Sequence, residues 1–380
     1  MAYEIDFIGV SKEETVKDAD AICLRWKCGT TVYGTPLYKV GVVDGGFEAH
    51  GEKMVKHMNR YYFDDIDGQK DASQKIIDFM LVTHPDQDHT NGLKKILKNL
   101  TVNKIFMNRP WLYVEDLFDK VDDGRITKDS LYRRLREKYK TIADIEEIAE
   151  AQGIPIYEAF EGTCIDNKLL VLSPSKQFYL NLLIESEKTP LQKDAALQQG
   201  RMFTILAKAV KAYVLDILET WDIETIREDE NTTAENETSV VVRGIIDGSG
   251  FILTGDAGIR ALNKALDYMD WIGEDVLKVV SFYQIPHHGG RHNVSPSLLN
   301  RMLGEKVKTG EVTGKTAYAS VAKDSDHPLK MVTNAFIRRG VKVYKTEGNI
   351  ICYQNGKMPN RNWVKMKEVE FSNYVEGWED

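Results

Sequence analysis

With 380 residues, 42% of them hydrophobic and 28% charged, the chain can bury a substantial core and has the composition of a soluble globular protein. A net charge of −8 argues against a broad basic coat for nucleic acid, although bound cations could still offer positive potential to a phosphate. Apolar stretches such as Leu169–Leu172 and Val240–Val242 are too short to span a bilayer, and the acidic Met1–Val10 lacks a signal-peptide pattern. The four cysteines, Cys23, Cys28, Cys164 and Cys352, show neither zinc-ribbon spacing nor a disulfide framework, which predicts reduced core thiols in a cytoplasmic protein without a membrane partner.

In chain order, Ala21–Trp26 and Lys39–Val43 read as strands, the second ending in the sharp turn Asp44-Gly45-Gly46. Glu52–Tyr62 is a helix, the apolar run Ile76–Val82 a strand that feeds Thr83-His84, and Val102–Met107 a further buried strand. From Trp111 to about Gly153 the period is helical, with Leu131, Leu135, Tyr139 and Ile142 on one face and Gly153 placed as a C-cap. Ile154–Tyr157 and Leu169–Leu172 return to strands. Ser173-Pro174 then offers an N-cap and first-turn proline for a helix through Glu187, and Met202–Trp221 reads as another. Arg227–Glu237 is an acidic loop with little to bury. Ser239–Ile246 and Phe251–Leu253 form a hairpin about Asp247-Gly248 that delivers Thr254-Gly255-Asp256. Val276–Ile285 ends at Pro286-His287-His288-Gly289-Gly290, and strands at Ala317–Ala322, Val341–Tyr344 and Ile350–Tyr353 surround a helix over Leu329–Arg339. Together these elements make an α/β protein with a sheet covered by helices.

Of eight histidines, six (His84, His89, His287, His288, His292 and His327) fall in three short segments after predicted strands; His50 and His57 lie elsewhere and receive no role. The first segment, Thr83-His84-Pro85-Asp86-Gln87-Asp88-His89, holds four potential ligands in six residues. Imidazole nitrogens and carboxylate oxygens suit divalent cations, whereas capping a following helix would need only one of them. Asp256 alone could equally cap the helix after it, and gains weight from its company. Paired histidines between a proline and two glycines have little packing value, and a ligand role falls more readily to one of them than to both.

Taken in order, these segments resemble the metallo-β-lactamase superfamily: the first its His-x-His-x-Asp-His signature, Thr254-Gly255-Asp256 its bridging aspartate, His288 its final ligand histidine, and Asp44-Gly45-Gly46 the turn beneath the metals. "THPDQDHTNG", "ETSVVVR", "LTGDA", "IPHHGG" and "SDHP" further resemble the nuclease domain of ComEC-like competence proteins, over roughly 1–108 and 236–353. The resemblance implies an αββα sandwich over 1–365, with helical insertions at about 111–153 and 174–225 and a C-terminal tail at 366–380. It also implies two divalent cations, Zn2+ or Mn2+, on His84, Asp86, Asp88, His89, Asp256 and His288. Asp86 stands where a second histidine is usual, and no histidine occurs between His89 and His287, so Glu235, Asn236 or Glu237 is expected to complete the first position. Carboxylate in place of imidazole hardens that position toward Mn2+ or Mg2+.

The activity so implied is hydrolysis of a nucleic-acid or nucleotide phosphodiester by a cation-activated water. Asp88 would orient that water, and His327, its pKa raised by neighbouring aspartates, would act as general acid. His287, Arg291 and His292 are further candidates near the substrate. Hydrolysis of a small ester, thioester or lactam is the rival enzyme class, disfavoured by the missing histidine. A non-catalytic metal-stabilised protein is the third reading, disfavoured by retention of Asp88 and His89. The helical insertions are a surface for a protein partner.

Overall fold

The computed structural model describes residues 2–378 apart from 66–69, 72, 74, 121–125, 187–188, 190–215 and 362. The first of two seven-stranded sheets contains β1 (Tyr3–Ile8), β2 (Ala21–Thr30), β3 (Pro36–Gly45), β5 (Phe79–Leu81), β7 (Ile105–Phe106), β8 (Ile156–Tyr157) and β17 (Ile350–Asn355), in the order β17-β1-β2-β3-β5-β7-β8. β17, β1, β2 and β3 pair antiparallel, and β3, β5, β7 and β8 parallel. The second contains β9 (Cys164–Ile165), β10 (Leu169–Ser173), β12 (Val241–Ile246), β13 (Ser249–Leu253), β14 (Val280–Gln284), β15 (Thr316–Ala319) and β16 (Lys342–Lys345), in the order β16-β15-β14-β13-β12-β10-β9. Here β13 to β16 run parallel and the remaining pairs antiparallel.

The layers follow from the two-residue period of the strands. Ile22, Leu24 and Trp26 of β2 share a central core with Phe251 and Leu253 of β13, Phe282 of β14 and Tyr318 of β15, so the two sheets pack face to face. The alternate residues turn outward. Cys23, Val42 and Met80 bury against helices Glu48–Tyr61, Leu93–Asn99, Lys128–Lys138 and Lys140–Gln152. Ile252, Tyr283 and Ala317 bury against helices Ile259–Trp271, Pro296–Leu303 and Lys330–Ile337. The result is an αββα sandwich, the expected fold class.

Several elements differ from their sequence reading for identifiable reasons. Asp78 turns its carboxylate onto β3, where it accepts Val40 N–H at 2.9 Å and the Lys39 ammonium at 2.5 Å, and this splits the apolar run into β4 (Ile76–Ile77) and β5. β4 pairs with β6 (Thr101–Val102), so the expected strand over 102–107 is likewise two. Asp275 accepts Leu277 N–H and starts a helical turn over Val276–Val279, which delays β14 to Val280. Ser175, rather than Ser173, caps the next helix by accepting Phe178 N–H, and that helix spans Lys176–Glu185. Residues 202–215 of the expected helix over 202–221 lie outside the described residues; its end is instead β11 (Ile217–Leu218), paired with β18 (Tyr374–Val375) near the C-terminus. The acidic segment 227–237 does bury side chains: it ends in helix Ala234–Glu237, where Glu237 accepts Ala261 N–H at 2.7 Å. All four cysteines are free, but Cys28 and Cys164 are exposed, so core thiols are limited to Cys23 and the half-buried Cys352. Among the described residues no helix is long and apolar enough to cross a membrane.

Candidate metal centre

The segments singled out in the sequence meet at one edge of the sandwich, beyond the C-terminal ends of the parallel strands. Asp44 ends β3, His84–His89 follow β5, Asp256 follows β13, and His287-His288 follow β14. β2 begins at the same edge, because Ala21 pairs antiparallel with Gly45, and this brings Asp20 there as well. Loops of the two sheets are tied directly where Val240 N–H donates to the Thr83 carbonyl at 3.0 Å, and within the second sheet His287 N–H donates to the Gly255 carbonyl at 3.1 Å. Gly255 has φ +51°, and a Cβ there would lie 2.8 Å from Thr83 Oγ1, so this crossing of loops needs glycine.

Hydrogen bonds behind the site decide which nitrogen each histidine presents. His89 Nδ1–H donates to Asp44 Oδ2 at 2.7 Å. Thr83 donates its hydroxyl to the same oxygen at 2.6 Å and its backbone N–H to Asp44 Oδ1 at 2.9 Å, while its hydroxyl oxygen accepts His84 Nδ1–H at 3.2 Å. His288 Nδ1–H donates to the Ser320 carbonyl at 2.8 Å. In all three rings Nε2 is thereby the nitrogen directed into the site, where a cation could take its lone pair.

Asp256 lies between two groups of side chains. Its Oδ2 is 3.7 Å from His84 Nε2 and 3.6 Å from His287 Nε2, and Asp86 Oδ2 is 3.8 Å from the same His84 nitrogen. Its Oδ1 is 3.2 Å from His89 Nε2, while Asp88 Oδ2 is 3.9 Å from that nitrogen and 3.5 Å from His288 Nε2. Ligand atoms of Asp20, His89, Asp256 and His288 all lie within 4.8 Å of one another. Five polar atoms here are buried without a hydrogen bond: Asp20 Oδ2, His84 Nε2, His89 Nε2, Asp256 Oδ1 and His288 Nε2. A buried polar atom left unpaired is destabilising by about 1–3 kcal/mol, so five converging from separate segments fit residues arranged to hold cations.

The electrostatics agree. Asp20, Asp88 and Asp256 have no lysine or arginine partner among the described residues. Burial disfavours charge on His288, yet the Asp88 carboxylate 3.5 Å away and the charges of Asp20 and Asp256 lift its pKa to about 10. His89 is held well above the ordinary histidine value: burial opposes the proton, but Asp256 and Asp44 outweigh it. Burial likewise raises Asp256, but His89 and His287 bring it well below the usual carboxylate range. The cluster attracts positive charge.

Asp256 is not a helix cap. The N-cap of Ile259–Trp271 is Gly258, and the first N–H groups there are taken by Glu237. His287, rather than a residue of 235–237, faces Asp256 Oδ2. Glu235 accepts from Ser186 Oγ and Glu237 is committed to the backbone, while Asn236 donates to Thr232 Oγ1 at 2.8 Å and lies behind His287, 3.4 Å from its Nδ1. Both members of the histidine pair therefore reach the cluster. Each has a left-handed backbone, φ 48° and 57°, which sends neighbouring rings to different carboxylates.

A cleft of about 1070 Å³ opens beside this edge, lined by residues including Asn236, His287, Arg291, His292, His327 and Lys330. His327 faces Asp18, not its neighbours in sequence: Nδ1–H donates to Asp18 Oδ2 at 2.9 Å, while Asp324 pairs with Lys12. Arg291 and His292 stand apart from the cluster. Arg291 donates to the Gly377 carbonyl at 2.7 Å and packs on Trp378, and His292 pairs with Glu230 at 2.6 Å. The sequence reading missed Asp18 and Asp20, two aspartates in an acidic stretch without histidine. It missed Asn293 as well, which accepts His287 Nδ1–H at 3.0 Å and donates to the Asp256 carbonyl at 2.9 Å.

No protein-family model matches the chain, and comparison with curated proteins returns no match. Among solved structures the chain is similar to a diphosphatase of the PhnP family, with 10% identity and a TM-score of 0.39 over 93% of this chain and 98% of that one. It is also similar to a long form of RNase Z from yeast, with 10% identity and a TM-score of 0.33 over 84% of this chain but only 37% of that longer one. A third is the metallo-β-lactamase SMB-1, with 8% identity and a TM-score of 0.29 over 79% and 86% of the two chains. Similarity at these levels is too low to carry function from those proteins to this one.

Proposed function

We propose that the chain is a metal-dependent hydrolase of the metallo-β-lactamase type, and that its substrate is a phosphodiester of a nucleic acid or nucleotide. The five buried, unpartnered atoms around Asp256 carry the metal reading. His84, Asp86, His287 and Asp256 Oδ2 would hold one cation, and Asp88, His89, His288 and Asp256 Oδ1 a second. When bound, such cations supply an acidified water and positive charge for the reacting phosphate. Asp88, whose side chain stays partly exposed, would orient the attacking water. His327, held at Nδ1 by Asp18, would in its imidazolium form present Nε2–H to the departing alkoxide.

The choice of phosphodiester rests on the ComEC-like motifs and on the cleft, which at about 1070 Å³ is just above the roughly 300–1,000 Å³ typical of small-molecule sites. His287 removes the earlier objection to a small ester or lactam, since four imidazoles now reach the cluster. Incubation with Mn2+ and single-stranded or supercoiled DNA, or with RNA, should give degradation by the wild-type protein and none by Asp256→Ala. Equal activity of the two would overturn the proposal, and turnover confined to a lactam or thioester panel would replace the substrate class.

A further inference from the structure

Asp20 stands outside the residues that the metallo-β-lactamase signature supplies, yet it is among the least accessible carboxylates of the chain, with 1% of the residue exposed. Other fully buried charges are paired: Arg338 with Glu219 at 2.6 Å, and Arg25 with Glu4 at 2.5 Å. Asp20 has no lysine or arginine partner among the described residues, and its Oδ2 has no hydrogen bond, His89 Nδ1 lying 3.9 Å away and committed to Asp44. Its backbone is fixed on both sides, by the pairing of Ala21 with Gly45 and by Asp20 N–H donating to the Asp88 carbonyl at 3.1 Å. That frame aims the free oxygen at the atoms of His89, Asp256 and His288, all within 4.8 Å.

Resting on the metal reading above, we infer that Asp20 is a further ligand of the second cation. That position then draws on three carboxylates (Asp20, Asp88 and Asp256) and two imidazoles (His89 and His288). Five protein donors, three of them hard oxygens, overfill the four-coordinate geometry of a structural zinc site and suit the higher coordination of Mn2+. The second position is accordingly a manganese site. An unpaired buried carboxylate also destabilises the metal-free protein, and a bound cation reverses that effect.

The test compares full-length wild type with Asp20→Asn and Asp20→Ala, each stripped with a chelator and titrated with Mn2+ while free ion is followed by EPR. Zn2+ is titrated in parallel against a chromophoric chelator. Wild type should bind two Mn2+ per chain, and both variants should bind one of the two at least about 10-fold more weakly, with a smaller change for Zn2+. Metal-free Asp20→Asn should melt no lower than metal-free wild type, and its gain in Tm on adding Mn2+ should shrink. An unchanged Mn2+ isotherm, or a lower Tm for the metal-free Asn variant, overturns the assignment of Asp20. Wild type that binds neither ion overturns the metal reading itself, and this inference with it.

Discussion

Asp44 accepts the Nδ1–H of His89 at 2.7 Å and, through the Thr83 hydroxyl, also orients His84, so one buried carboxylate fixes the tautomer of two candidate ligands. Outer partners of this kind typically account for about 10–100-fold in metal affinity. Asp44→Asn keeps a residue tolerant of φ +56° but loses the charge. It should weaken binding of both cations by that factor with little change in fold, measured by Mn2+ titration and far-UV circular dichroism. Unaltered affinity would sink the relay.

His287 and His292 lie five residues apart and should differ sharply. His287→Ala removes the nitrogen facing Asp256 Oδ2 and should lower metal content by one ion and activity about 100-fold. His292→Ala breaks a surface pair with Glu230 and an edge contact with Trp378, and should leave both within about twofold of wild type. Metal analysis of the purified variants beside the cleavage assay separates the two. Matching losses would contradict the assignment.

If His327 supplies the leaving-group proton, its importance must depend on the leaving group. His327→Gln should slow cleavage of an ordinary phosphodiester about 100-fold or more. It should hardly affect a bis(p-nitrophenyl) ester, whose phenolate departs without a proton. A uniform loss on both substrates would instead make His327 a structural residue.

His50 gives a pH signature independent of catalysis. Burial, aided by Lys53, holds its pKa at about 4 against an ordinary 6.5, so the folded state keeps it neutral while the unfolded chain takes up a proton. Stability from this group is complete above pH 6.5 and is lost as pH falls toward 4, by at most about 3 kcal/mol. In chemical denaturation at a series of pH values, His50→Phe should show a smaller acid-side loss than wild type. Identical pH slopes would refute it.

The layered fold was legible because alternation survives in the central strands: Ile22, Leu24 and Trp26 face the other sheet while Cys23 between them faces helices. The His84–His89 loop was equally legible, since four donors in six residues have no economical packing role. Asp20 was not. A single aspartate within "VKDADA" carries no local pattern, and only the pairing of Ala21 with Gly45 brings it to the Asp44 turn. Nor could the sequence tell that His287 and His288 both point inward, because that depends on two consecutive positive φ angles, at which Gly289 and Gly290 only hint. Asp78 and Asp275 broke apolar runs through side-chain bonds to backbone N–H groups, an influence that hydrophobic period does not register.

The ligand loops come from both sheets: Asp44 and the His84–His89 turn from one, Asp256 and the histidine pair from the other. A cation gripped there would act as a rivet through the sandwich, and any opening that parts the layers would release it. Escape of the ion and separation of the layers would then be one event, so the free metal concentration around the protein would set what fraction of molecules is shut.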